Sequence, residues 1–231
     1  MKYVVGLVLL FGCGLAMAQD GIARPDVPGQ LMIDFGFNYL DTEPDAIDQK
    51  GWPSKSASVY YVRRKGLSNK FSFYYGIGLG TEKLGLGDSA TLVSGFDNGT
   101  EIEPLAIVPL DNSISYNKNK LAITYLDIPV DLRFHPLGTQ DGEGLFFGVG
   151  GILGLRINSH TKFKFDEGGE TVIEKVKAGY NLSTFRYGVQ ARFGFRGVHL
   201  FYKQYFNDLF KDQIGGANPR MVTFGINVTG F

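Results

Sequence analysis

Eight stretches of the chain alternate apolar with polar side chains, or are dense in β-branched and aromatic residues, as β-strands are. They are residues 30–40, 55–65, 70–84, 120–135, 144–158, 182–195, 197–206 and 220–230. In the first, Leu31, Ile33, Phe35, Phe37 and Tyr39 share a face opposite Asp34, Gly36 and Asn38. In the third, Phe71, Phe73, Tyr75, Ile77 and Leu79 oppose Ser72, Gly76, Gly78 and Gly80. The fourth sets Leu126, Ile128, Val130, Leu132 and Phe134 against Asp127, Asp131 and Arg133. The sixth sets Phe185, Tyr187, Val189, Ala191 and Phe193 against Arg186, Gly188, Gln190 and Arg192. Val222, Phe224, Ile226 and Val228 repeat the arrangement in the last. The second and seventh alternate less cleanly, because Val59-Tyr60-Tyr61-Val62 and Leu200-Phe201-Tyr202 are apolar on both faces.

The connections alternate too. Residues 41–54, 85–119, 159–181 and 207–219 are long, whereas 66–69, 136–143 and 196–197 are short. Short periplasmic turns, long extracellular loops and an even strand number are what an outer-membrane barrel has. The predicted fold is therefore all-β: an antiparallel up-and-down transmembrane β-barrel of eight strands.

Alternation alone does not say which face meets lipid, since a soluble, lipocalin-like barrel has the same period with its faces exchanged. Composition decides it. The chain has 231 residues, of which 19 are Phe, 12 Tyr and 32 Gly. The apolar face is bulky and ring-rich on nearly every strand and would overfill an eight-stranded interior. The other face combines glycine with long charged side chains, so that Asp34, Asp127, Asp131, Arg133, Arg156, Arg186 and Arg192 are predicted to form a charge network inside the barrel. Tyr39, Tyr125, Tyr180, Tyr202, Tyr205 and Phe206 fall near the extracellular strand ends, and Phe71, Phe134, Leu145 and Phe195 near the periplasmic ends. That distribution predicts two interfacial girdles. Lys+Arg 23 against Asp+Glu 23 gives no net charge, so there is no global field for nucleic acid, which is not expected as a partner. The lipid bilayer is.

Residues 1–18 read as a cleaved signal peptide: Lys2, an apolar run from Val4 to Phe11, and Ala16-Met17-Ala18 before Gln19. Cys13, the only cysteine, follows Leu10-Phe11-Gly12, which fits a lipoprotein box poorly. Residues 19–29 are then a short periplasmic segment and 30–231 the barrel. Past residue 18 the longest apolar run is Leu145 to Leu155, with four glycines among its eleven residues, too short and too glycine-rich for a spanning helix.

Tyr125-Leu126-Asp127-Ile128-Pro129, opening the fourth strand, resembles the Tyr-Leu-acid-Ile-Pro signature of the PorT-like outer-membrane β-barrel family of Bacteroidota. The terminal Phe231 is similar to the aromatic sorting signal of bacterial outer-membrane barrels, and so is the expected membrane-insertion signal. The resemblance implies an outer-membrane location and, for some members, an accessory role in type IX protein secretion. Phe231 has the opposite parity from Val228 and Phe224, so a bulge near Gly230 is expected. Pro129 lacks a ladder donor, and a bulge or irregular pairing is expected there too.

Candidate chemistry is thin. His135, His160 and His199 are the only histidines, and no motif joins them to a nucleophile. Ser159 and His160 point to opposite faces in an extended chain. Asp41, Glu43 and Asp45 alternate as in a calcium loop, yet Ala46 stands where the glycine is required and Trp52 where the bidentate glutamate belongs. Gly148 and Gly150 lack the third glycine of a dinucleotide loop, Leu153 standing in its place. No catalytic residue, metal or cofactor is predicted. An eight-stranded bore filled by side chains leaves no aqueous path.

Function then falls to the loops. Ile102, Leu105, Ile107, Val108 and Leu110 are apolar for a solvent loop, and Leu209 and Phe210 add to them. They are read as a contact for a protein partner or, equally, as a lid packed on itself. The sequence supports a structural or partner-binding barrel, an accessory to an outer-membrane assembly or secretion machine. The alternative is a stand-alone barrel for envelope integrity, adhesion or ligand binding, and a membrane lipid hydrolase comes third.

Overall fold

The computed structural model describes residues 29–42, 44, 49–52, 54–87, 90–97, 100–109, 116–137, 144–167, 170–195, 197–213 and 216–229. Among them there are twelve strands and no helix. In chain order they are β1 (Gln30–Leu40), β2 (Gln49–Lys50), β3 (Lys55–Gly66), β4 (Phe71–Leu86), β5 (Ala90–Asp97), β6 (Thr100–Pro109), β7 (Tyr116–Phe134), β8 (Leu145–Glu167), β9 (Glu170–Lys177), β10 (Phe185–Phe195), β11 (Val198–Tyr205) and β12 (Met221–Thr229).

Eight of these close a ring. β1 pairs with β3, β3 with β4, β4 with β7, β7 with β8, β8 with β10, β10 with β11, β11 with β12, and β12 returns to β1, every pair antiparallel. Closure removes both sheet edges, so the wall presents no open strand edge to hydrocarbon. The eight segments read from the alternation coincide with these strands to within a few residues at the periplasmic side.

The extracellular side differs. Two stretches expected as long loops are largely strand: β7 has 19 residues and β8 has 23, about twice the 9–11 that a tilted strand needs to cross a bilayer. β9 lies along the extension of β8, and β5 and β6 form a separate hairpin within residues 90–109. The signal was present in Thr161-Lys162-Phe163-Lys164-Phe165, which alternates as strictly as any membrane strand but with the polar residues on the other side.

That exchange of faces marks the outer boundary of the membrane. Below it, Leu79, Leu126, Ile128 and Leu153 point outward and are exposed, while Asp127 and Asp131 are buried. Above it, Lys118 and Lys120 keep the outward parity of Leu126 while Leu121 and Ile123 are fully buried. Thr81 and Thr124, whose hydroxyls meet at 3.4 Å, lie at the crossover. The strand does not change; the solvent does. Where lipid surrounds the wall, apolar side chains go out, and where water surrounds it they go in.

Pro129 interrupts the pairing of β7 with β4 without moving its register, which matches Tyr75 with Val130 and resumes at Gly78 with Asp127. The register shifts of β7 lie elsewhere, between Tyr116 and Lys118 and between Thr124 and Tyr125, both against β8. Gly230 and Phe231, on which the insertion signal and its bulge were read, lie outside the described residues, as do residues 1–28.

Candidate functional site

Inside the membrane zone the bore is filled by ions. Asp34 on β1 receives both outer nitrogens of Arg192 on β10, at 3.1 and 3.0 Å, and the Lys203 ammonium of β11 at 2.7 Å. Asn227 on β12 donates to the same carboxylate. The Arg192 Nε lies 3.2 Å from Asp131 of β7, which also accepts from Gln190 at 2.8 Å and lies 3.6 Å from Arg133. Lys203 donates to the Tyr60 hydroxyl at 3.1 Å, and that hydroxyl donates to Asp127 at 3.3 Å. Asp127 is held by Arg186 through two nitrogens at 3.0 and 2.6 Å, and Arg186 reaches Glu82 of β4 at 3.1 Å.

The result is one connected chain of four cations (Arg133, Arg192, Lys203, Arg186) and four anions (Asp131, Asp34, Asp127, Glu82), with no side chain more than 4% exposed. A neutral set of this kind is the form in which buried charge is tolerable, because each ion's lost hydration is offset by an opposite charge within 3.6 Å. Aromatic rings complete the solvation. Arg133 lies 3.8 Å over the ring of Tyr74, and Arg186 lies 3.8 Å over Tyr125 and 4.6 Å over Tyr205. Inward glycines make the room. A Cβ on Gly80 would come within 2.5 Å of the Asp127 carboxylate, one on Gly150 within 2.7 Å of Asp131, and one on Gly154 would overlap both Asp127 and Arg186.

Of the seven charged residues singled out from the sequence, six meet in this chain. Arg156 does not. It keeps the inward parity but sits one inward position above Gly154, opposite Tyr125, and donates upward to the Ser159 hydroxyl at 3.0 Å and to the Leu182 carbonyl at 3.2 Å. Glu82, Lys203, Tyr60 and Gln190 belong to the set and were missed. Lys203 was hidden by the apolar pair Leu200 and Phe201, although its parity with Phe201 and Tyr205 places it inward.

A second correction concerns the aromatic girdle. Tyr39, Tyr202 and Phe206 are exposed at the upper rim, whereas Tyr125, Tyr180 and Tyr205 are at most 2% exposed. They share the parity of Asp127 or Lys203, or, for Tyr180, hydrogen-bond inward to Thr161 at 2.8 Å. With Leu84, Leu86, Leu121, Ile123 and Leu182 they form an apolar cap over the charged bore.

Leu209 and Phe210 belong to that cap and are 4% and 2% exposed, so they are not a contact surface. The last loop folds them inward through Leu209 N–H to the Pro219 carbonyl and Lys211 N–H to the Asn181 carbonyl, both 2.8 Å. Ile102, Leu105, Ile107 and Val108 lie on β6, with their side chains outside the described set, and Leu110 lies outside the described residues. Asp41 is engaged in structure, accepting from the Arg220 amide at 2.7 Å. Among the described residues no group of His, Cys, Asp and Glu could hold a metal.

Above the crossover the outward wall is basic. Burial, and after it Lys83, Lys118 and Lys162, push the Lys120 ammonium below its ordinary pKa. Burial, followed by Lys175, Lys120, Lys177 and Lys162, does the same to the His160 imidazole.

A closed eight-stranded ring with rings and aliphatics outside and paired ions inside is a transmembrane β-barrel of the outer-membrane class. The sequence agrees: residues 29–211 match the outer membrane protein beta-barrel domain family, and the chain belongs to it. A search of curated proteins gives no match. Among solved structures the chain is similar to Ail, the attachment invasion locus protein of Yersinia pestis. The identity is 13% and the TM-score 0.35, over 88% of this chain and 100% of that one. It is also similar to the same protein in complex with the heparin analogue sucrose octasulfate, at 11% identity and a TM-score of 0.31 over the same shares.

Proposed function

We propose that this outer-membrane barrel is a structural or partner-binding component whose working surface is its extracellular superstructure, and that it is not a catalyst. The observation that carries the reading is the length of β7 and β8. Material far beyond what the bilayer requires is built as ordered sheet, while the bore beneath is filled. The Tyr125-Leu126-Asp127-Ile128-Pro129 resemblance supports an accessory role in an assembly or secretion machine of the type IX kind. In this reading residues 1–18 are a leader removed on export, and the β5–β6 hairpin that carries Ile102, Leu105, Ile107 and Val108 is the protein contact. Purification from native membranes in mild detergent tests it. Stoichiometric protein partners, lost when the hairpin is deleted, are expected; a lone barrel would favour the stand-alone role in envelope integrity, adhesion or ligand binding.

A further inference from the structure

The outward wall above the crossover carries a grid of like charge. Register sets Lys118 opposite Lys164, Lys120 opposite Lys162 and Lys162 opposite Lys175, with Lys177 two residues further along β9. Lys83 on β4 stands opposite Ala122, beside the same column. The two-residue period puts all of these on one face of β4, β7, β8 and β9. Among the described residues that face has a single carboxylate, Asp166, at its upper end, already accepting from Asn117 and Thr171 at 2.7 Å each. No ion pair joins any of these lysines to a described carboxylate.

Like charges directly opposite one another on a sheet destabilise it. The chain as a whole has no net charge and its buried network is balanced, so this is a local concentration of cations. The wall continues the lipid-facing surface: Lys83 is four residues beyond Leu79 on β4, and Lys120 six beyond Leu126 on β7, with the same parity. At the rise and tilt of barrel strands that is roughly 10–15 Å above the last apolar ring. Neighbouring cations are spaced by roughly 5 Å across strands and 7 Å along them, a grid matched to several anionic groups at once.

We propose that this wall binds the phosphate groups of the glycolipid in the outer leaflet, lipopolysaccharide, and so fixes a lipid collar around one side of the barrel. The position favours a membrane lipid over a soluble polyanion, because the grid lies on the flank of the cylinder, level with the head groups. The proposal is independent of the partner role argued above.

The test uses the full barrel in phosphatidylcholine nanodiscs, with and without lipopolysaccharide, and the variant K120Q/K162Q/K175Q. One lysine near an anionic surface is worth about fivefold in affinity, so the triple variant is expected to bind roughly a hundredfold more weakly. Its unfolding midpoint in phosphatidylcholine alone is expected to equal or exceed that of the parent, since opposed cations have been removed. Enzymatically dephosphorylated lipopolysaccharide is expected to bind the unaltered protein as weakly as the variant binds the intact lipid, a comparison that needs no variant to fold. Equal binding of the dephosphorylated lipid, undiminished binding by the variant, or tighter binding of a soluble sulfated polysaccharide than of the glycolipid would each overturn the proposal.

Discussion

At the scale of single residues, the decisive feature is that every ion of the buried set has an opposite charge within 3.6 Å. Arg192 joins two carboxylates, Asp34 at 3.0 Å and Asp131 at 3.2 Å. Replacing it by methionine keeps most of the volume and leaves both anions short of a cation. Arg192→Met is expected to lower stability by about 3–5 kcal/mol, the usual cost of breaking a buried pair from one side. Urea unfolding in lipid vesicles, followed by tryptophan emission, measures it, and a loss below about 1 kcal/mol would mean that the ions are solvated in some other way. Six members of this set were legible because each is a charge at an inward position of a strand whose other face is uninterruptedly apolar. Arg156 misled because inward parity does not say at what height along the barrel a side chain finds its partners, and Tyr125 and Tyr205 because a tyrosine suits an interface as well as a cation-lined interior.

At the scale of the element, β4, β7 and β8 are each two strands end to end, one written for lipid and one for water. Ile128, half exposed at 49% and paired with Leu153, stands in the lipid part, and Thr124 stands at the crossover four residues on. Ile128→Arg is expected to cost about 2–4 kcal/mol and Thr124→Arg about 0–1, because the penalty for an outward cation falls with distance from the midplane. The same unfolding assay distinguishes them. Equal costs would place the boundary elsewhere. The upper halves resemble loops in the sequence because their alternation has the sense opposite to that of a lipid-facing strand.

At the scale of the whole molecule, a bore filled by paired ions under an apolar cap makes a solid post in the bilayer. Planar bilayer recording is expected to give no reproducible single-channel steps; stable conductance would show that the chain from Arg133 to Glu82 opens. The barrel's rigidity serves what it holds above the membrane, where β7, β8 and β9 form a wall and Tyr180, Leu182 and Phe210 hold that end shut.

The sequence by itself determined the number of wall strands, their lower bounds and which side of each meets lipid. These are properties of single strands, and a period of two with bulky apolar residues on one side has one stable solution in a bilayer. It also determined that charges would be enclosed. Only the tertiary structure decided which charges meet, that Glu82 and Lys203 complete the set, that Leu209 and Phe210 turn inward, and that lysines from four strands form one surface. Those facts depend on register between strands distant in the chain, and register is a relation between segments that no segment carries alone.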